Sequence, residues 1–124
     1  MHILLIDDDI DEMKTFVEAL KEVVEPFKCT YAANGIHALR MFFYLRPEAI
    51  FVDYNMPAMN GLEFVEEIKK DDQLRYIPVF LYSRHISSDT IQKAEKMGVA
   101  GCTEKPAGLE GVIKALKTVF ATAG

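Results

Sequence analysis

Short apolar segments recur along the chain, and each is followed by a polar turn and then by a segment with helical spacing. The predicted strands are 2–6, 27–32, 49–52, 77–82 and 99–104. Apolar runs of four to eight residues between turn residues are typical of strands buried on both faces, as parallel sheets require. The second strand contains polar residues, which indicates a position near a sheet edge.

The intervening segments have apolar residues every three or four positions, which predicts amphipathic helices. The predicted helices cover 10–24, 35–46, 61–70, 87–97 and 109–120, and the fourth has the fewest apolar residues. Asp9 with Glu12, and Asn60 with Glu63, have the spacing of helix capping boxes. Five strands alternating with five helices predict a doubly wound α/β domain, with helices on both faces of a five-stranded parallel sheet.

Composition narrows the class of protein. The chain has 124 residues, half of them hydrophobic, and a net charge of −5. No global positive field favours nucleic acid or an anionic membrane, and no apolar run approaches the ~20 residues that span a bilayer. Two separated cysteines and no secretory signal favour the cytoplasm. Because 121–124 alone follow the last predicted helix, we expect one domain over 1–124.

Candidate chemistry lies where the predicted strands end. Asp7 and Asp8 follow the first strand, Asp53 the third, Ser83 the fourth and Lys105 the fifth. In a parallel sheet these ends share one edge, where α/β domains bind ligands. Three neighbouring carboxylates require a cation, and oxygen ligands suit Mg²⁺. With a hydroxyl and an ammonium nearby, the pattern predicts a phosphoryl site in which Asp53 is the nucleophile and forms an acyl phosphate.

Four motifs in this order resemble the receiver domain of two-component response regulators. They are ILLIDDD at 3–9, FVDYNMPAMNG at 51–61, PVFLYS at 78–83 and EKP at 104–106, so the resemblance covers 3–120. It implies a flavodoxin-like (βα)5 fold with strand order 2-1-3-4-5. It also implies a signalling module without turnover as an enzyme. Because only 121–124 follow the last predicted helix, we expect no output domain, and the chain is either a free-standing module similar to chemotaxis regulators or a piece of a longer protein.

The resemblance further implies partners and residue roles. A histidine kinase or phosphotransfer protein would phosphorylate Asp53, and binding to a downstream protein would then change, without direct contact to nucleic acid or membrane. The implied Mg²⁺ ligands are Asp8 directly, Asp7 through water, Asp53, and the backbone carbonyl of Asn55. Ser83 and Lys105 are implied to contact the phosphoryl oxygens.

Three positions depart from the family pattern. Arg84 follows Ser83 where a small residue is usual, Cys102 replaces a Tyr or Phe, and Ala107 replaces an aromatic residue. We therefore expect Arg84 to gate the site and Ser83 to move on phosphorylation, while Cys102 is too small to act as an aromatic switch. We also expect a cis bond between Lys105 and Pro106, because Lys105 must turn back toward the carboxylates.

Three other functions compete with this interpretation. An aspartate-nucleophile phosphatase typically has a second Asp two residues after the nucleophile, where this chain has Asn55. A flavin-binding domain would need a hydroxyl- and glycine-rich first loop, whereas Asp7, Asp8 and Asp9 would repel phosphate without a metal. The alternative of a receiver that binds a partner without a phosphorylation switch stays open because of Arg84 and Cys102.

The aromatic segment 41–44 is expected in the core or along the second helix.

Overall fold

The computed structural model describes residues 1–123 and contains the five strands and five helices predicted. The strands are β1 (His2–Ile6), β2 (Lys28–Ala32), β3 (Ala49–Val52), β4 (Val79–Ser83) and β5 (Gly101–Glu104). The helices are α1 (Asp11–Val23), α2 (Gly35–Met41), α3 (Gly61–Lys70), α4 (Ser88–Met97) and α5 (Leu109–Ala123). All strand pairs are parallel, in the order β2-β1-β3-β4-β5, which confirms the predicted topology.

Two apolar layers hold the sheet between the helices. Because side chains alternate along a strand, Leu4 and Ile6 of β1 pack on one face and Ile3 and Leu5 on the other. The first layer includes residues of α2, α3 and α4, and the second includes residues of α1 and α5. Among residues 1–123, no helix has both the length and the apolar composition needed to cross a bilayer.

One of the two predicted capping boxes is present. The Asn60 side chain accepts from the backbone N–H of Glu63, and the Glu63 side chain accepts from that of Asn60, as expected. The box predicted at Asp9 is wrong. The carboxylate of Asp9 instead accepts a hydrogen bond from the N–H of Asp11, two residues on, in the local turn that Asp readily forms. The N-cap of α1 is therefore Ile10, without a side-chain cap.

The second helix is shorter than predicted. It ends at Met41 instead of 46, because the N–H groups of Tyr44 and Leu45 both donate to the carbonyl of Met41 and close a turn. Met41 and Phe42 are buried as expected. Phe43 and Tyr44 are 91% and 74% exposed, so they flank the helix outside the core.

The prediction of a cis bond before Pro106 is wrong. The cis peptide bond among residues 1–123 is Glu25–Pro26. The backbone N–H of Lys105 donates to the carbonyl of Ser83 at 2.8 Å, so the chain continues the ladder beyond β5. The Lys105 side chain reaches the carboxylates from this extended position, and no reversal of the backbone is needed.

Candidate functional site

A cavity of about 330 Å³ opens at the carboxyl edge of the sheet. It is lined by Asp7, Asp8, Asp53, Asn55, Ser83, Arg84 and Lys105, together with Asp9 and Glu12. Seven of the eight residues singled out from the sequence therefore meet here. The exception is Cys102, which is half-buried on β5 and packs against the apolar layer shared by α2, α3 and α4.

Asp53 is the central residue of this cavity and is 7% exposed. Its Oδ1 accepts a hydrogen bond from the Ser83 hydroxyl at 2.5 Å and one from the Asn55 N–H at 3.3 Å. Its Oδ2 lies 3.2 Å from the Lys105 ammonium. Asp53 follows β3 directly, and the backbone N–H of Asp53 continues the strand ladder by donating to the carbonyl of Ile6 of β1. Both carboxylate oxygens are therefore held by donors, which come from β4, from the loop after β3 and from Lys105 after β5.

Asp7 is the most deeply buried acid of the site, with 1% of the residue exposed. Its Oδ2 lies 2.5 Å from the Lys105 ammonium, and its Oδ1 accepts from the N–H of Asp9 at 3.0 Å. The Tyr31 hydroxyl of β2 donates to the Asp7 carbonyl at 2.6 Å and holds the start of this loop. Asp8, the next residue, is exposed. Tyr31 was not identified from the sequence, because this contact depends on the register between β1 and β2.

The charges of the site are incompletely balanced by protein groups. Carboxylate oxygens of Asp7, Asp8 and Asp53 lie within 4.8 Å of one another. Burial raises the pKa of the Asp7 carboxyl, although its hydrogen bond with Lys105 opposes this. Burial lowers the pKa of the Lys105 ammonium, but its bond to Asp7 and the nearby negative charges outweigh burial and the pKa is raised. Lys105 therefore stays protonated as one cation beside three acids.

The donor atoms in this cluster fit a hard divalent cation. Three carboxylates provide oxygen ligands alone, which is the chemistry that Mg²⁺ prefers, and neither cysteine nor histidine lies among them. Asp8 is exposed and Asp7 is engaged by Lys105, an arrangement consistent with unequal roles for the two residues. The contribution of the Asn55 carbonyl stays a prediction.

The loop after β3 returns tightly over Asp53. The N–H of Gly61 donates to the Tyr54 carbonyl at 3.0 Å, and a Cβ at Gly61 would lie 2.6 Å from the backbone oxygen of Asp53. This close approach requires glycine. Ala58, in the same loop, has a φ of 69°, a left-handed conformation that costs about 1–2 kcal/mol for a residue with a Cβ. The loop beside the acceptor is therefore held in a strained form.

An ion pair lies at the side of the cavity. Nη2 of Arg84 is 2.9 Å from Oε1 of Glu12 on α1, and these side chains are 72% and 20% exposed. A second groove of about 460 Å³ adjoins the site and runs toward Pro106, Gly108 and Val112. Glu12 was assigned from the sequence to helix capping alone. Its contact with Arg84 joins residues 72 positions apart, so local spacing could not have predicted it.

Comparison with known proteins agrees with this geometry. Residues 3–117 match the family model of the response regulator receiver domain. The chemotaxis protein CheY of Pseudomonas aeruginosa is 26% identical over 117 residues, covering 94% of each chain.

Two solved structures have the same fold. Chemotaxis protein CheY4 of Vibrio cholerae has a TM-score of 0.81 at 28% identity and covers 95% of this chain and 97% of its own. The phosphorylated cyanobacterial phytochrome response regulator RcpA has a TM-score of 0.85 at 28% identity, with coverage of 95% and 89%. Fold, site and family match agree, and the chain belongs to the response regulator receiver domain family.

Proposed function

We propose that this domain accepts a phosphoryl group on Asp53 in the presence of Mg²⁺ and then binds a downstream protein differently. The donor is the phosphohistidine of a histidine kinase or phosphotransfer protein, and the module works in the cytoplasm without direct contact to nucleic acid or membrane. One observation carries the proposal. Asp53 is a nearly buried carboxylate that contacts a hydroxyl and an ammonium and lies beside two further acids.

Residues of this chain supply the parts that phosphoryl transfer needs. One oxygen of Asp53 forms a bond to phosphorus, the bond from phosphorus to the leaving group breaks, and the leaving group takes the electron pair. The Ser83 hydroxyl and Lys105 ammonium, which now bind Asp53, are placed to donate to oxygens of the incoming group. Asp8, Asp53 and the Asn55 carbonyl would hold Mg²⁺, with Asp7 acting through water, and the ion would supply positive charge that offsets the acids and the phosphate.

Phosphorylation changes the surface through the elements next to Ser83 and Lys105. Across Ser88–Met97, α4 buries Ala94 alone, and the four residues of β5 are half-buried or exposed. Elements with few buried contacts have low local stability and shift under a modest bias. Ser83 leads into the loop before α4, and its carbonyl accepts from the N–H of Lys105 after β5. Movement of Ser83 therefore reaches both elements without an aromatic ring at Cys102.

The proposal is tested by incubating the protein with acetyl phosphate and Mg²⁺ and measuring intact mass. We expect addition of one phosphoryl group, which is absent in EDTA and absent in Asp53→Asn. Asp72→Asn, which changes an exposed aspartate outside the cavity, serves as the matched control and keeps full labelling.

Two results would contradict the assignment: labelling that persists in Asp53→Asn, or full labelling in EDTA. A wild-type protein that is not labelled by acetyl phosphate or by a phosphorylated histidine phosphotransfer protein would instead favour a receiver that binds partners without this switch.

A further inference from the structure

The Arg84–Glu12 ion pair joins two elements that both line the cavity. Arg84 follows β4 directly, and Glu12 lies in the first turn of α1. The guanidinium and the carboxylate are 2.9 Å apart. Both residues line the cavity that contains Asp53, and both also line the adjoining groove. The pair therefore lies at the boundary between the buried acceptor and the groove.

The Glu12 carboxylate interacts with two positive charges at this boundary, those of Arg84 and Lys105. Arg84 binds it directly, and the negative charge of Glu12 contributes to the raised pKa of Lys105, so the carboxylate also interacts with the interior cation. Glu12 is 20% exposed while Arg84 is 72% exposed. Glu12 is thus the more buried member of the pair, and Arg84 is its long, largely solvated partner.

We propose that this ion pair is a gate that limits access of small phosphodonors and water to Asp53. The inference rests on the proposed function and adds a regulation of the same site. Two reactions are affected. A small donor such as acetyl phosphate loses its phosphoryl group to Asp53 and leaves as acetate. In the second reaction, which is hydrolysis, water attacks phosphorus, the bond to the Asp53 oxygen breaks, and inorganic phosphate and a proton are released.

The expected size of the effect follows from the exposure of the pair. Exposed ion pairs are worth at most about 1 kcal/mol, so the closed form is favoured by at most about fivefold. The open form is then at least about one sixth of the population, and opening the gate permanently should raise each rate by at most about sixfold. A larger change would require a contribution beyond this contact.

The test compares Arg84→Ala, Glu12→Gln and the double variant. Labelling by acetyl phosphate in Mg²⁺ is followed by intact mass, and loss of label is followed after removal of the donor. We expect both rates to rise in each single variant, and the double variant to match the singles because all three open one gate. Titration of Mg²⁺ affinity in each variant separates the gate from an effect on the metal.

Two controls separate the gate from general effects of charge. Glu18→Gln breaks another ion pair of α1, with Lys21 at 3.2 Å, and should leave both rates unchanged. Salt screens an exposed ion pair, because the Debye length is ~3 Å at 1 M. The ratio of variant to wild-type rates should therefore fall toward one at high salt, which a purely structural role of Arg84 does not predict.

The outcomes also distinguish this inference from the proposed function. Labelling of wild type with unchanged rates in the variants would overturn the gate alone. Slower labelling in Arg84→Ala with faster labelling in Glu12→Gln would also overturn it, because Arg84 would then attract the anionic donor. Labelling in neither wild type nor any variant would overturn the proposed function and the gate with it.

Discussion

The acidic cluster has two effects that Asp8→Asn can separate. Its carboxylates repel one another in the metal-free protein, and they attract Mg²⁺. Asp8 is exposed, and its carboxylate lies within 4.8 Å of those of Asp7 and Asp53. Lys105 is paired with the other two acids, whereas no ion pair involving Asp8 is found among residues 1–123. We therefore expect Asp8→Asn to stabilise the metal-free protein and to reduce its response to Mg²⁺.

The magnitude follows from Coulomb's law. At 4.8 Å, one pair of like charges costs about 0.9 kcal/mol at the dielectric constant of water and about 3.5 kcal/mol at an effective value of 20. Asp8 faces two carboxylates, and the attraction of Lys105 offsets part of this repulsion. Because Asp8 is exposed and salt screens its charge, we take the lower end and expect a gain of about 1 kcal/mol in unfolding free energy.

The assay is urea unfolding in EDTA and again in saturating Mg²⁺. A ligand at 100 times its dissociation constant stabilises a fold by about 2.7 kcal/mol. Wild type should gain roughly this amount, while Asp8→Asn gains much less, so the order of stability inverts between the two conditions. Asp7→Asn should lose less Mg²⁺ affinity than Asp8→Asn, as expected if Asp7 acts through water. Asp72→Asn should respond to Mg²⁺ as wild type does.

Two results would refute this reasoning. If Asp8→Asn were less stable than wild type in EDTA, repulsion within the cluster would not be the dominant effect. If the variant and wild type gained equally from Mg²⁺, Asp8 would not be a ligand.

Two further predictions concern stability. Burial raises the pKa of the Cys29 thiol to about 12 from 9.0, so between these pH values the folded state keeps a proton that the unfolded chain loses. The stabilising contribution of the protonated thiol is fully present below pH 9. From pH 9 toward 12 the unfolding free energy falls by up to about 1.4 kcal/mol per pH unit. Urea unfolding from pH 8.5 to 11 should show a smaller loss in Cys29→Val, and equal losses would contradict it. Ala58→Gly should raise the unfolding free energy by about 0.5–1 kcal/mol, because relief of the left-handed strain exceeds the added flexibility of the unfolded chain. A lower unfolding free energy of the variant in thermal unfolding experiments would show that the strain is absent.

Sequence reasoning located the strands and the residues at their ends, because both follow from local pattern. A run such as Ala49–Val52 is apolar because both faces are buried, and Asp53 comes next where burial ends. Once the strands are parallel, their carboxyl ends must meet at one edge, so Ser83 and Lys105 could be placed beside Asp53. The fold and most of the cavity were therefore predictable without any pairwise contact being known.

The predictions that were wrong involve competition between local groups. Asp9 had the spacing of a helix cap, but its carboxylate is used in a turn to Asp11. The second helix was predicted to reach 46, yet the chain turns after Met41 and leaves Phe43 in solvent. Contacts between distant elements, such as Arg84 with Glu12, leave no periodic signal at all.

Features that oppose folding concentrate at the same edge of the sheet. Asp7 and Asp53 are nearly buried carboxylates that share one lysine, and Ala58 is held at a positive φ in the adjoining loop. Elsewhere the pattern is consistent, with two apolar layers and a capping box at Asn60. Proteins violate such rules mainly where function requires it. The repulsion expected to destabilise the metal-free fold is the same interaction that would favour a divalent cation, so the cost and the proposed function arise from the same three acids.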